Sequence, residues 1–67
     1  MNISEISAAT GLPAKTIRYY EEIGLISPQR AEIGFRHFVK AQLADLQFLA
    51  SARGLGFKLK ECRELLG

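Results

Sequence analysis

Four side chains in one short segment have the types and spacing needed to bind a charged groove. They lie at positions i, i+3, i+4 and i+7, on one side of an α-helix, and are Lys15, Arg18, Tyr19 and Glu22. Two cations and a tyrosine on an outward face suit a surface lined with phosphate, because ammonium and guanidinium groups hydrogen-bond phosphate oxygens. The alternative interpretation is a solvated helix with ordinary surface cations.

The residues around this row predict the turn and second helix of a helix-turn-helix. Gly11 can adopt the positive φ that ends one helix, and Pro13 has the fixed φ that suits the first position of the next. The sharp three-residue turn between the helices has the length that this motif uses. The second helix is predicted from about Ala14 to Ile23, with Ile17 away from the row and Gly24 at its end.

The first ten residues predict the helix that supports this row, from about Ser4 to Thr10. Its apolar positions recur every three residues, and they are Ile3, Ile6 and Ala9. Either Asn2 or Ser4 can cap it, and Asn2 has the spacing of a capping box with Glu5. After the second helix, Leu25 and Ile26 are predicted to return to the core, and Ser27-Pro28 to form an extended turn.

Residues 29–38 predict a β-hairpin with its tip at Ile33-Gly34. Phe35 and His37 would point to one face of the second strand, and Arg36 and Phe38 to the other. Because an isolated two-stranded hairpin is not stable in water, we expect the hairpin to pack against the helices. Its arginines, Arg30 and Arg36, suggest a wing on a nucleic-acid backbone or minor groove, and a solvated hairpin is the alternative.

Two further helices are predicted after the hairpin. The first covers residues 39–53, with an inward stripe of Leu43, Leu46, Leu49 and Ala50 and an outward set of Gln42, Asp45 and Gln47. Gly54 and Gly56 end it. The final short helix places Leu59, Cys62, Leu65 and Leu66 on one face. Cys62 is therefore predicted to be a small buried hydrophobe, not a metal ligand or redox thiol.

The composition indicates one small folded domain in a reducing compartment. The chain has 67 residues, 48% hydrophobic residues, a net charge of +2 and a single cysteine. One cysteine excludes an internal disulfide, and no signal peptide or membrane span is apparent, so a cytoplasmic location is expected. An enzyme is not expected, because no paired carboxylates, glycine-rich phosphate loop or nucleophile elbow occurs. His37, the only histidine, either contacts nucleic acid or is simply exposed.

Taken in order, these motifs resemble the DNA-binding domain of the MerR family of bacterial transcription regulators. The resemblance covers residues 1–67 and is carried by four strings, ISEISAATG, TIRYYEEIGLISP, GFRHF and GFKLKE. It implies a mainly α fold: a winged helix-turn-helix with a small two-stranded wing and two following helices. Its opening and recognition strings lean toward the copper- and heavy-metal-responsive members.

The resemblance also implies a set of DNA contacts, position by position. From the recognition helix these are Lys15, Thr16, Arg18, Tyr19 and Tyr20. The wing adds Arg36, His37 and Phe38, and the end of the long helix adds Arg53, at a basic position that in the family reaches a backbone phosphate. Helix spacing alone indicates only that Arg53 is a cation favoured at a helix C-terminus. The family usually has a tyrosine at the place of Phe38, so a hydroxyl contact to phosphate would be missing here.

For the whole regulator, the resemblance implies a homodimer on a pseudo-palindromic promoter. Family members usually continue into a dimerisation helix and an effector region, so residues 1–67 are expected to be either an excised DNA-binding domain or a naturally short protein. In the whole regulator, the effector would lead the protein to twist and bend the DNA so that RNA polymerase can use it. No cofactor is expected in residues 1–67. Two alternatives remain: an excisionase-like architectural protein that bends DNA, and a helical protein-interaction module with an apolar patch of Leu55, Phe57 and Leu66.

Overall fold

The computed structural model describes the backbone of residues 1–26, 29–30 and 36–67, and the side chains of residues 1–26 and 38–67. This part of the chain contains four helices and two short strands. The helices are α1 (Ile3–Thr10), α2 (Ala14–Glu22), α3 (Lys40–Gly54) and α4 (Leu59–Leu66), and the strands are β1 (Gln29–Arg30) and β2 (Arg36–His37). The prediction of a mainly helical fold is confirmed.

Helix α1 begins and ends as its sequence predicts. The Glu5 N–H donates to Asn2 Oδ1 over 2.8 Å, and the Asn2 N–H donates to Glu5 Oε1 over 2.9 Å, which is a capping box. At the other end, Gly11 has φ of 77° and its N–H donates to the Ser7 carbonyl over 2.9 Å. A glycine accommodates this left-handed conformation without the steric cost of a Cβ.

Helices α3 and α4 begin at residues that cannot cap with a side-chain oxygen, Val39 and Lys58. Half of a capping box is still present at each. The Val39 N–H donates to Gln42 Oε1 over 2.7 Å, and the Lys58 N–H donates to Glu61 Oε1 over 2.9 Å. Gln42 was predicted to face outward, and that prediction is wrong: its side chain turns back over the start of α3 and is buried.

All four helices contribute to one small core. Its buried hydrophobic members are Ile6, Ile17, Tyr20, Ile26, Phe38, Leu46, Leu49, Ala52 and Cys62. Helix α3 contacts both α1 and α4, and α1 contacts α2. Cys62 has no exposed surface, as expected for a small buried hydrophobe. Leu25 and Ile26 return to this core as predicted.

Two residues of the predicted apolar stripes are instead exposed. Ala9 of α1 is on the surface, and Leu65 of α4 is 61% exposed. In α4 the buried direction runs through Cys62 and the half-buried Leu59 and Leu66, and Leu65 is turned about 120° from Leu59 at 3.6 residues per turn. The three-residue spacing of apolar residues therefore identified the helices, but it did not identify which of those residues are buried.

The two strands pair antiparallel, with Gln29 opposite His37 and Arg30 opposite Arg36. The pairing is shorter than the hairpin that the sequence predicts over residues 29–38. The predicted turn at Ser27-Pro28, the tip at Ile33-Gly34 and the strand residue Phe35 lie outside the described residues.

Phe38 joins the end of β2 to the start of the chain. Its N–H donates to the Met1 carbonyl over 2.8 Å, and the Met1 nitrogen donates to the Phe38 carbonyl over 2.8 Å. These two hydrogen bonds hold Phe38, the residue after β2, beside Met1, the residue before the N-cap of α1.

The backbone conformation of Gly11 generates a prediction with a matched control. Gly11→Ala adds a Cβ in open space at φ of 77°, so backbone strain alone should lower the free energy of unfolding by about 1–2 kcal/mol. Gly54→Ala also meets open space, but Gly54 is helical, so the change should be neutral or stabilise by up to about 1 kcal/mol. Urea denaturation followed by circular dichroism measures both. Equal effects of the two substitutions would contradict the conformational argument.

Candidate nucleic-acid interface

The turn between α1 and α2 is held by side chains of α1. Ser7 Oγ donates to the Leu12 carbonyl over 2.6 Å, and Thr10 Oγ1 donates to the Ile6 carbonyl over 2.8 Å while accepting from the Leu12 N–H over 3.2 Å. Pro13 then precedes α2 with ψ of 146°, so it is the N-cap of α2 and not its first helical residue as predicted. These bonds fix the direction in which α2 leaves the turn.

Helix α2 has one buried and one exposed side. Ile17 has no exposed surface and Tyr20 only 4%, because the two residues lie three apart on the side that faces the core. Lys15 and Arg18 are exposed, and Tyr19 is 47% exposed. A shallow concavity on this side is lined by Lys15, Arg18, Tyr19 and Glu22. The row predicted from helical spacing therefore forms one continuous surface, which we call the α2 row.

The α2 row carries two cations and one carboxylate. No described residue forms an ion pair or hydrogen bond with the side chains of Lys15, Arg18 or Glu22. The ammonium and guanidinium donors can therefore be used by an external ligand without breaking an internal bond. Because the carboxylate of Glu22 shares this surface, an all-phosphate ligand would be less favourable here than one that also offers hydrogen-bond donors.

Two residues predicted as DNA contacts lie in the core instead. Tyr20 follows Ile17 by three residues and packs inward, with its ring centroid 6.2 Å from that of Tyr19. Phe38 is 1% exposed, and both its backbone groups are bonded to Met1. Such residues present almost no surface to a ligand, so their part in the site is to hold neighbouring elements in place. Thr16, also predicted, is half-buried beside the α2 row.

The remaining predicted contacts lie outside α2. Arg53, in the last turn of α3, is exposed, and its Nη1 donates to the Phe57 carbonyl over 2.9 Å. This bond holds the guanidinium at the corner between α3 and α4 and leaves its other N–H donors available. Arg36 and His37 form β2, but their side chains lie outside the described residues.

One contact at the end of α2 is missed by sequence reasoning. Arg63 Nη2, on α4, donates to the carbonyl of Ile23 over 2.7 Å. Ile23 is the C-cap of α2. The two residues are separated by 40 positions, and helical periodicity says nothing about contacts at that separation. The nearest signal in the sequence is that α2 has no basic residue in its own last turn.

With this geometry in place, comparison with known proteins decides the family. The MerR HTH family of regulatory proteins matches residues 1–67. The chain belongs to this family. It is a helix-turn-helix DNA-binding domain of the kind found in MerR transcriptional regulators, and the strings quoted above correctly predicted this assignment.

Relatives and a solved structure agree with the assignment. HTH-type transcriptional regulator HmrR of Rhizobium leguminosarum bv. viciae is 54% identical over 66 residues, which are 98% of this chain and 51% of HmrR. CueR of Salmonella typhi is 48% identical over 67 residues, 98% of this chain and 49% of CueR. A crystal structure described as a MerR family transcriptional regulator from Listeria monocytogenes superposes with a TM-score of 0.88 at 39% identity, covering 98% of this chain and 51% of that one.

The chain thus spans about half the length of the curated relatives it matches. Those relatives are named as transcriptional regulators, which places the family among regulatory proteins and not among enzymes. Among the described residues, no helix is long and apolar enough to cross a membrane.

The two adjacent tyrosines of α2 allow its orientation to be tested. Tyr20→Ala should lower the free energy of unfolding by about 3–5 kcal/mol, the range for removing a large buried aromatic side chain. Tyr19→Ala removes the same atoms from the exposed side and should change it by less than about 0.5 kcal/mol. Thermal and urea unfolding of both variants gives the comparison. A rotation of α2 that buried Tyr19 would reverse the order.

Proposed function

We propose that residues 1–67 bind double-stranded DNA in a sequence-specific manner, with α2 in the major groove. The observation that carries the proposal is the α2 row: cations with no partner among the described residues, on a helix whose opposite side is buried. The major groove admits an α-helix, and a recognition helix contacts base edges there with its exposed side chains. Helix α1 then crosses above α2 as the supporting helix.

Each side chain of the α2 row has a distinct chemical use in this arrangement. Arg18, near the middle of α2, can donate two parallel hydrogen bonds to guanine O6 and N7. Lys15, near the start of α2, suits a phosphate oxygen, and Tyr19 can donate its hydroxyl to a phosphate or sugar. Glu22 can accept from the amino group of cytosine and would repel a phosphate at the same place. Thr16 lies beside Lys15 and adds a hydroxyl at the edge.

Contacts outside the major groove are proposed for three arginine and histidine positions. Arg36 and His37 form β2, and we propose that the β1–β2 pair acts as a wing and that these two residues contact the DNA backbone or minor groove. Arg53 is proposed to bind a backbone phosphate from the corner between α3 and α4, where its bond to the Phe57 carbonyl orients the guanidinium. Phosphate contacts of this kind fix the register of the protein on the duplex but carry no sequence information.

The full-length regulator is proposed to act as a homodimer on a pseudo-palindromic promoter in the bacterial cytoplasm. Two α2 helices would read two half-sites, and deformation of the spacer between them would make the promoter usable by RNA polymerase. Similarity to HmrR and CueR supports the copper- and heavy-metal-responsive branch named above. Residues 1–67 would need no cofactor for DNA binding, and effector recognition would belong to residues beyond this domain.

A protein-interaction role is the second candidate, and one observation favours it. Leu55 is 80% exposed and Phe57 is 38% exposed, two residues apart at the corner between α3 and α4, whereas Leu66 at the end of α4 is half-buried against the core. Exposed apolar side chains that lie together are typical of protein contact surfaces. This role is compatible with DNA binding, because the α2 row is formed by other residues.

Binding to random-sequence duplexes, followed over a salt titration with sequencing of the bound fraction, tests the proposal. We expect one half-site sequence to be enriched in the bound fraction. The logarithm of the binding constant should fall linearly with the logarithm of the salt concentration, with a slope of about −0.9 for each phosphate neutralised. Salt-dependent binding without a motif would favour an architectural, excisionase-like protein. Absence of binding at low salt, both for this chain and for a version fused to a dimerising helix, would overturn the DNA-binding function.

Arg18→Ala gives the residue-level prediction. Loss of a base contact should weaken binding to the recovered half-site by about 1–3 kcal/mol and relax the preference at one base pair. Binding to random duplexes should change much less. Lys60→Ala, which removes one exposed cation from α4 and not from the α2 row, is the matched control. Equal losses on specific and random DNA would show that Arg18 touches only phosphate.

A further inference from the structure

We propose that Arg63 is a positioning residue that joins the C-terminal end of the recognition helix to α4 and so sets the tilt of α2. The proposal rests on the function proposed above, because the tilt matters only if α2 enters a groove. Its central observation is the 2.7 Å bond from Arg63 Nη2 to the Ile23 carbonyl, between residues 40 positions apart.

The Ile23 carbonyl is an acceptor that the local chain leaves open to α4. Three of the carbonyls before it accept from the residues that follow: Tyr19 from the Ile23 N–H, Tyr20 from the Leu25 N–H, and Glu21 from the Gly24 N–H. The chain then turns at Gly24, where φ is 75°. Arg63 donates to the carbonyl of Ile23, the C-cap of α2, so the bond attaches to the helix end and not to a distant loop.

The charge of Arg63 also compensates for an unfavourable feature of α2. The C-terminal end of a helix carries partial negative charge, which is stabilised by cations and destabilised by carboxylates. Helix α2 has no basic residue in its last turn, and its final two residues are Glu21 and Glu22. Arg63 therefore supplies from α4 the cation that α2 lacks.

The two ends of α2 are consequently held by different parts of the molecule. Its N-terminal end is fixed by the turn that Ser7 and Thr10 brace from α1. Its C-terminal half is held in the core by Tyr20 and is bonded in addition to α4, which is itself anchored in the core through Cys62, the residue next to Arg63. A displacement of α4 would move the Ile23 carbonyl while the start of α2 stayed in place. Helix α4 thus controls the angle at which the α2 row meets a groove.

Arg63→Gln, with Lys60→Gln as control, tests this role. Both variants remove one positive charge from α4, but Lys60 has no partner among the described residues. We expect Arg63→Gln to weaken binding to the selected half-site by about three- to tenfold, the size of one net hydrogen bond, and to leave binding to random duplexes equal to that of the control. We also expect faster hydrogen exchange at the Gly24 and Leu25 amides in Arg63→Gln alone, measured by NMR without DNA.

A third variant separates positioning from simple stability. Arg63→Lys keeps the cation in the last turn of α4 but lacks the planar fork and the full reach of the guanidinium. It should retain thermal stability close to that of the unchanged protein and still show part of the loss in specific affinity and part of the faster exchange. This comparison remains informative if Arg63→Gln unfolds at the assay temperature.

Two results would overturn the proposal. Identical behaviour of Arg63→Gln and Lys60→Gln in both affinity and exchange would show that the bond to Ile23 does not hold α2. A parallel loss on random duplexes with a shallower salt slope would make Arg63 a phosphate contact. If the unchanged protein bound no DNA, the proposed function would fail, whereas the exchange comparison would still report whether Arg63 holds the end of α2.

Discussion

The burial of Ile17 and Tyr20 is the constraint on which the rest of the molecule depends. Helix α2 has only nine residues and would not be stable in isolation. Its helical form and its orientation both come from placing these two side chains in the core, where each contributes about 1.5–3 kcal/mol through the hydrophobic effect. Because helical geometry fixes the angle between neighbouring residues, the same burial places Arg18 and Tyr19 outward. The burial of these two side chains therefore determines both the packing of α2 and the position of the candidate interface.

A domain of this size can keep Ile17 and Tyr20 buried only because local hydrogen bonds and backbone conformations add to its stability. Small domains bury a modest share of their surface and have little stability to spare. Here the capping box of α1, the left-handed Gly11 and the side-chain bonds to Leu12 hold the helix-turn-helix with few core residues. The hydrogen bonds from the N–H groups of Val39 and Lys58 to the side chains of Gln42 and Glu61 stabilise the starts of α3 and α4 in the same way. The cations of the α2 row form no hydrogen bond or ion pair with the described residues, so the packing of those residues does not use them.

Local patterns in the sequence predicted more of this structure than pairwise contacts did. The bounds of the first three helices were predicted to within one or two residues, and the presence of the fourth was predicted, since caps, glycines and apolar spacing are read over a few neighbours. The same reasoning failed for Gln42 and Leu65, because periodicity gives a direction around one helix and not the position of the helix that covers it. Tyr20 and Phe38 are contacts that only the resemblance implied, and Tyr20 follows Ile17 by three residues and shares its buried side. Contacts such as that of Arg63, which join distant segments, leave no periodic signal.

Helix α1 connects the elements that are proposed to touch DNA. At its start, Met1 pairs with Phe38 and so holds the exit of β2. At its end, the turn at Gly11 leads into α2. With eight residues and a rise of 1.5 Å per residue, α1 separates these attachment points by about 12 Å. Because α1 is capped at both ends and packed on α3, the separation behaves as a fixed spacer. The relative placement of the strand pair and the start of α2 then depends on α1. In the arrangement proposed above, α4 adjusts through Arg63 the tilt that the burial of Ile17 and Tyr20 sets, so two helices control two different features of one interface.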